Sequence, residues 1–280
     1  MALNSIKDGV MDTWLHFRTG NDRNDQTCLY IESNSNPKSK GEMMPRSSLP
    51  PKNDNSIRFV VISDTHTRHH SLGILPEGDV FVHSGDILMS TRFWSSQGRR
   101  QKYEEFNNWL GSDAIQCPNK IIVGGNHDAE LEQIGYSECM KLFSNGTYLE
   151  NTSIIVKTKQ NKEILIYGSP SSNGHSGNSA FQSQEFTSET MRRSTEEGGK
   201  HMARPSSQYG AVLVTHGPCK HLRKPFERNL KAHIWGHAHG AYGAKHFSDR
   251  EGVLSICAST MDTRYCPTNA PIVMDISLPP

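Results

Sequence analysis

The chain has 280 residues, a formal net charge of +1 at pH 7 and a hydrophobic content of 34%. A near-neutral charge gives no field that would hold a polyanion, which argues against a nonspecific nuclease and against a nucleic-acid partner. The length is sufficient for one domain with its own core, and the low hydrophobic content predicts that part of the chain lies outside that core.

The six cysteines are spread along the chain without a Cys-x-x-Cys pair. This pattern is typical of a reduced intracellular protein rather than of a disulfide framework. No stretch approaches the roughly 20 apolar residues that span a bilayer, and residues 1–10 lack the basic start and apolar block of a secretory signal. We therefore expect a cytoplasmic protein with no membrane partner; no protein partner is predicted.

Residues 1–56 are predicted to form an N-terminal extension. Apolar residues recur at spacings of three and four between Leu3 and Phe17, which indicates a short amphipathic helix. That helix either packs on the domain or binds a membrane surface or a partner, although its mixed polar face gives weak attraction to anionic lipid. Residues 19–56 are rich in Asn, Ser, Asp, Lys and Pro and predict a polar linker, in which only residues 28–31 indicate a docked strand.

The folded domain is predicted to occupy residues 57–280. Short apolar runs predict its strands, and the helical spacing of apolar residues at 103–110 predicts a helix that completes β-α-β units. Two of the runs are separated by a short polar turn, which predicts a hairpin. The predicted strands lie at 57–62, 79–83, 120–123, 154–156, 164–167, 211–214, 233–235, 253–258 and 272–276.

Residues 171–208 are rich in Ser, Gly, Asn and charged residues, with isolated Phe181 and Phe186. The composition predicts a long surface loop, and the alternative is a lid or specificity loop near a site. His175 could approach a substrate there or could be satisfied within the loop.

Metal-binding residue types follow five of the predicted strands. A single motif of this kind is common at turns and at the starts of capped helices, but five in succession, each after a strand, indicate a site at one end of the strands. Glycines in these motifs allow the sharp turns that bring several ligands to one point. The motifs are Ser63-Asp64-Thr65-His66, Ser84-Gly85-Asp86, Gly124-Gly125-Asn126-His127-Asp128, Thr215-His216-Gly217 and Gly236-His237-Ala238-His239.

In this order, the motifs resemble those of the calcineurin-like metallophosphoesterase superfamily. Segments 106–111, 215–218 and 267–272 resemble one branch more closely, the metallophosphoesterase-domain-containing proteins of the fetal-brain 239 type, which are similar to class III cyclic-nucleotide phosphodiesterases. The resemblance covers residues 57–278, with a weak patch at 175–208. It implies an α/β fold, a four-layer α/β/β/α sandwich of two mixed sheets flanked by helices.

The resemblance also implies two divalent metal ions, which neutralise phosphate oxygens and lower the pKa of a bound water. A mixed oxygen and nitrogen shell suits Mn, Fe or Zn, with Mn favoured. Asp86 would bridge the two ions, and His127 would donate a hydrogen bond or a proton to the leaving oxygen. The other expected ligands are Asp64, His66 and His239 for the first metal, and Asn126, His216 and His237 for the second.

The expected function is hydrolysis of small phosphate diesters, with cyclic nucleotides as one candidate class, by metal-activated water. The alternatives are a phosphomonoesterase of the same fold and a metal-binding scaffold for protein interactions.

Two departures from relatives narrow the substrate class. The run Gly85-Asp86-Ile87-Leu88-Met89-Ser90 lacks the Gly-Asp-x-x-Asp-Arg motif of related protein serine/threonine phosphatases, which disfavours a phosphoprotein substrate. His237 stands where vertebrate members of the brain-type branch can carry glycine, so a complete metal pair is expected. Further candidates are Arg68, as a phosphate-binding cation or a solvated loop residue, and His69, His70 and His83.

Overall fold

The computed structural model describes residues 26–36, 38–89, 94–158, 161–172, 176–202, 210–247 and 250–278. These residues form thirteen strands and four α-helices, with short 3₁₀ helices between them. The strands are β1 (Thr27–Glu32), β2 (Glu42–Pro45), β3 (Ser56–Ile62), β4 (Val80–Ser84), β5 (Asn119–Val123), β6 (Thr147–Tyr148), β7 (Thr152–Lys157), β8 (Glu163–Ser169), β9 (Gly210–Thr215), β10 (Leu230–Trp235), β11 (Gly243–Phe247), β12 (Arg250–Cys257) and β13 (Ile272–Ser277). The α-helices are α1 (Ser96–Leu110), α2 (Ala129–Ile134), α3 (Tyr136–Leu142) and α4 (Gln184–Met202), and the 3₁₀ helices are Arg46–Ser48, His69–Leu72, Lys220–Phe226 and His239–Ala241.

The strands form two mixed sheets. The first has the order β2-β1-β13-β3-β4-β5-β6 and the second the order β11-β12-β10-β9-β8-β7. In the first sheet β3, β4 and β5 are parallel to one another, and in the second β10 is parallel to both β9 and β12. The predicted hairpin is confirmed, because β7 and β8 pair antiparallel.

Side chains that alternate along each strand fill the space on both faces of the sheets. In β3, Phe59 and Val61 join a core between the two sheets, whereas Val60 and Ile62 join a second core that includes residues of α1. The other face of the second sheet packs against the 3₁₀ helix Lys220–Phe226 through Leu213 of β9. This alternation, apolar on both faces, is what a sheet buried between layers requires. The predicted four-layer α/β/β/α sandwich is therefore confirmed.

The domain begins earlier than residue 57, contrary to the predicted boundary. Strand β1 pairs parallel with β13 across the first sheet, and its residues Leu29 and Ile31 belong to the core between the sheets. The segment within the predicted linker that suggested a docked strand is thus an integral strand. The amphipathic helix predicted within residues 1–17 lies outside the described residues.

The predicted long loop at 171–208 contains the 19-residue helix α4, so the loop prediction is wrong over those residues. This helix packs on β7, β8 and the 3₁₀ helix Lys220–Phe226. In the part of the chain that the structure describes, no helix combines the length and apolar character needed to cross a membrane. All six cysteines fall in the described ranges and none forms a disulfide.

Candidate metal centre

The five motifs meet where the ends of the parallel strands of both sheets face each other. Asp64, Asp86 and Asn126 follow β3, β4 and β5, whose carboxyl ends lie at the same edge of the first sheet. His216 and His237 follow β9 and β10 of the second sheet. All seven predicted ligands are thereby brought together, since His66 and His239 come two residues after Asp64 and His237.

The turns that carry the ligands have unusual backbone conformations. Asp64, His66, Asp86 and His237 have φ angles of 52°, 42°, 55° and 65°, in the left-handed region that non-glycine residues rarely adopt. Such conformations persist only where the surrounding structure enforces them, and they concentrate at functional sites. Gly125 permits the close approach, because a Cβ atom there would lie 2.3 Å from Asp86 Oδ1.

One group of donor atoms comprises Asp64, His66 and His239. The Nε2 atoms of His66 and His239 are 3.4 Å apart, and His239 Nε2 lies 3.4 Å from Asp64 Oδ1. The Asp64 carboxylate also accepts the backbone N–H of His237 at 3.0 Å, which joins the turn after β10 to the turn after β3.

A second group comprises Asp86, His216 and His237, with Asn126 between the two rings. Asn126 Oδ1 lies 2.8 Å from His216 Nε2 and 2.8 Å from His237 Nδ1. His216 Nε2 lies 3.2 Å from Asp86 Oδ2. These residues are buried or half-buried, so the donor atoms face one another rather than bulk solvent.

Asp86 connects the two groups. The oxygen that lies 3.2 Å from His216 Nε2 is also 3.9 Å from His66 Nε2, and thus within reach of imidazoles from both sides. The position agrees with the bridging role that the family resemblance implies.

Hydrogen bonds outside the cluster orient three of the rings. The Nδ1 atoms of His66, His216 and His239 lie 3.0–3.1 Å from backbone carbonyl oxygens. A carbonyl only accepts, so Nδ1 carries the proton and Nε2 can present its lone pair to the centre. Metal-bound histidines are held in the same way. The donor set therefore fits divalent metal ions such as Mn, Fe or Zn.

The electrostatics of the cluster also favour a cation. Burial alone would raise the pKa of Asp86, but the charge and hydrogen bond of His216 hold it well below its ordinary value. Burial would lower the pKa of His216, yet Asp86 raises it to about 9. The pKa of Asp64 is likewise low, since its hydrogen bond with His239 and the charge of His216 outweigh its burial. Two buried carboxylates thus draw positive charge into this site.

His127 lies at the edge of the cluster. Its backbone N–H donates to Asp86 Oδ1 at 2.8 Å, and its ring Nε2 is 3.9 Å from Asp86 Oδ2. Burial lowers the pKa of the ring to about 4, so the imidazole is neutral at pH 7. The neighbouring Asp128 faces away from this ring. Its carboxylate accepts the backbone N–H groups of Gly125 and Leu88 at 2.9 and 3.1 Å and thereby fixes the ligand turns.

The remaining histidine candidates lie outside the three groups of clustered donor atoms. His69 is buried against the rings of Phe106 and Trp109, and His83 is bonded to Thr65 through Nε2 at 3.0 Å. His70 is exposed. Arg68 precedes the 3₁₀ helix that begins at His69, and its role as a phosphate-binding cation stays a prediction. His175 lies outside the described residues.

Two residues at the centre are not among the sequence-based candidates. Tyr265 has its ring centroid 4.7 Å from that of His239 and 5.2 Å from that of His66, with φ of 58° and 42% exposure. Asn178 Nδ2 lies 3.0 Å from His127 Nε2. An aromatic residue or an asparagine in a polar loop carries no signal of its own in one sequence, and only the fold reveals these contacts.

Comparison with known proteins decides the family. The family model described as calcineurin-like phosphoesterase matches residues 57–241, which is more than half of the chain. The chain belongs to the calcineurin-like phosphoesterase family. The prediction made from the motifs is confirmed, and the residues of the donor cluster up to His239 fall within the matched region. Members of this family are phosphoesterases that use divalent metals.

Curated relatives of this calcineurin-like phosphoesterase differ in length. Metallophosphoesterase domain-containing protein 1 of Homo sapiens is 25% identical over 278 residues, covering 82% of this chain and 74% of that protein. A protein of Emericella nidulans named "Probable rhamnogalacturonate lyase C" is 30% identical over 209 residues, covering 68% of this chain but only 18% of its own length. The solved structure of the Thermus sulfate thiohydrolase SoxB matches with a TM-score of 0.45 at 12% identity, covering 76% of this chain and 53% of that chain.

Proposed function

We propose that this calcineurin-like phosphoesterase is a dinuclear metal-dependent phosphodiesterase that hydrolyses small phosphate diesters, with cyclic nucleotides as one candidate class. The observation that carries the proposal is the position of Asp86, whose Oδ2 lies within 3.9 Å of imidazole nitrogens from both donor groups. A carboxylate placed in this way is what a two-metal centre needs as a bridge.

Two divalent cations, with Mn²⁺ favoured, would be held by the residues of the two groups and would supply neutralisation of the phosphate oxygens and a lowered pKa for a water molecule. On the protein side, the carbonyl-bound imidazoles of His66, His216 and His239 keep Nε2 directed to the centre. His127 provides a ring nitrogen beside the bridge. Its Nε2–H would donate to the leaving oxygen as the P–O bond breaks and the bonding electrons pass to that oxygen.

The residues after Asp86 support a diester rather than a monoester. Ile87 and Leu88 are buried apolar residues with 0% and 2% exposure, and Met89 and Ser90 occupy the positions of the aspartate and arginine in related protein phosphatases. A phosphate monoester carries close to two negative charges at pH 7, because its second pKa is about 6. A diester carries one charge, so it depends less on an arginine clamp.

Hydrolysis of bis-p-nitrophenyl phosphate against p-nitrophenyl phosphate tests the proposal. The protein would be stripped of metal, refilled with Mn²⁺ and assayed in parallel with Asp86→Ala. Faster turnover of the diester that requires both metal and Asp86 is the expected result. Faster turnover of the monoester would favour the phosphomonoesterase alternative, and no turnover of either ester by the Mn²⁺-loaded protein would favour the scaffold.

A further inference from the structure

The segment 176–183, between β8 and α4, is anchored to the loop that carries Asn126 and His127. Phe181 is buried, with 1% exposure, and a Cβ atom on Gly124 would lie 2.9 Å from its ring. The backbone N–H of Phe181 donates to Glu132 Oε1 of α2 at 2.7 Å. The ring and the hydrogen bond fix this segment against both ends of the ligand-bearing loop.

Within this segment, hydrogen bonds fix the backbone of Asn178 on both sides. Its N–H donates to Ser176 Oγ at 3.1 Å, and its carbonyl accepts from Gln182 Nε2 at 3.0 Å. Ser176 Oγ also accepts from Nδ2 of the metal-ligand candidate Asn126 at 2.9 Å. The side chain of Asn178 therefore starts from a defined position next to the donor cluster.

The amide of Asn178 reaches the ring nitrogen that faces the bridge. Its Nδ2 lies 3.0 Å from His127 Nε2, the atom that is 3.9 Å from Asp86 Oδ2. An asparagine amide has a donor at one end and an acceptor at the other, and a half-turn of χ2 exchanges them. In one orientation it donates to a bare Nε2, and in the other it accepts from Nε2–H.

We propose that Asn178 is the positioning residue of His127, holding the ring by its Nε2 both before and after proton donation to the leaving oxygen; this inference rests on the proposed hydrolysis. In the related protein phosphatases the Gly-Asp-x-x-Asp-Arg motif supplies a carboxylate for orienting the catalytic histidine, and Met89 stands at that position here. The neighbouring Asp128 is bonded to backbone amides and to the Tyr103 hydroxyl instead. The amide accepts from Nε2–H while the proton is present, and donates to Nε2 after the proton has passed to the leaving oxygen.

Leaving-group dependence separates this role from a structural one. p-Nitrophenolate leaves without a proton, whereas the alkoxide of a 3′,5′-cyclic nucleotide needs one. In the Mn²⁺-loaded protein, Asn178→Leu should lower kcat for the cyclic nucleotide by roughly tenfold or more, as expected for weakened general-acid catalysis. Its kcat for bis-p-nitrophenyl phosphate should change little, and in a His127→Ala background Asn178→Leu should cause no further loss. The matched control is Ser179→Ala, an exposed neighbour that should behave as the wild type.

Equal loss on both esters, or full additivity with His127→Ala, would overturn the proposal. If the wild type hydrolyses neither ester, the proposed function fails, and side-chain ¹⁵N NMR of the histidine-labelled, Zn²⁺-loaded protein still decides the inference. Asn178→Leu should then shift the Nε2 resonance of His127, while Ser179→Ala leaves it in place. An Nε2 resonance that is unchanged in Asn178→Leu would refute the contact.

Discussion

The hydroxyl of Thr215 lies 2.7 Å from Nε2 of His233, and both residues are fully buried. Arg223 Nε donates to the other ring nitrogen at 3.0 Å, so Nε2 carries the proton and donates to Thr215. The Thr215 hydroxyl passes its own proton to the Gly217 carbonyl at 2.5 Å. This chain of hydrogen bonds encloses His216, the ligand candidate between Thr215 and Gly217.

Replacing His233 with phenylalanine should destabilise the protein. Thr215 and Arg223 would each lose a partner in a buried setting, which costs about 1–3 kcal/mol for each unsatisfied group. Urea denaturation at pH 7 measures the loss. His233→Gln, whose amide can both donate and accept, should recover part of it. An unchanged midpoint in His233→Phe would show that these hydrogen bonds contribute nothing to stability.

His83 repeats this arrangement in the first sheet, where its Nε2 lies 3.0 Å from the Thr65 hydroxyl. Burial lowers the pKa of His83 to about 3. Below the ordinary histidine pKa of about 6.5 the unfolded chain takes up a proton there that the folded chain refuses. The stability of metal-stripped protein should therefore fall as the pH drops from 6.5 to 5. His83→Gln should reduce that slope by up to about 1.4 kcal/mol per pH unit. Identical slopes in variant and wild type would show that His83 titrates normally.

Adjacent glycines in α4 should respond oppositely to alanine. A Cβ atom on Gly198 would lie 2.4 Å from the backbone oxygen of Pro225, so Gly198→Ala should cost about 1–3 kcal/mol through overpacking. Gly199 is exposed with no atom within 4 Å of such a Cβ, and Gly199→Ala should gain about 0.5–1 kcal/mol of helix stability. Thermal denaturation of the pair tests the docking of this helix. Equal effects at both positions would mean that α4 does not pack on Pro225.

His127→Ala should separate catalysis from metal binding. The side chain is not one of the expected ligands, so metal content should stay at the wild-type value. Turnover of esters with alkoxide leaving groups should fall roughly 10²–10⁴-fold, the usual contribution of a positioned acid. Metal analysis and kinetics on the same preparation measure both, and loss of metal in this variant would assign His127 to the ligand set instead.

The sequence predicted the parts of the fold whose residues carry a local signal. Strands such as β3 and β9 are unbroken apolar runs, and each of the predicted ligands sits at a strand end marked by Gly, Asp or His. The convergence of these ends on one point followed from the parallel strands and from the family resemblance.

The sequence failed where the signal is not hydrophobic. The buried face of α4 repeats every four residues through Phe186, Thr190, Ser194 and Gly198, but three of these are small or polar. Their hydroxyls bond to helix carbonyls, as Thr190 Oγ1 does to Phe186 O at 2.9 Å, and this allows burial without an apolar pattern. Strand β1 was missed as part of the sheet because its pairing with β13 joins residues more than 240 positions apart. The site contacts of Asn178 and Tyr265 likewise depend on tertiary structure.

The number of metal ions bound per chain tests the central claim most directly. Equilibrium dialysis against Mn²⁺ followed by elemental analysis would be carried out on the wild type and on Asp86→Ala. The geometry around Asp86 predicts two ions per chain in the wild type, with fewer in the variant and loss of diester hydrolysis in parallel. A wild-type protein that binds one ion or none, or an Asp86→Ala variant that retains both, would contradict a two-metal centre bridged by Asp86.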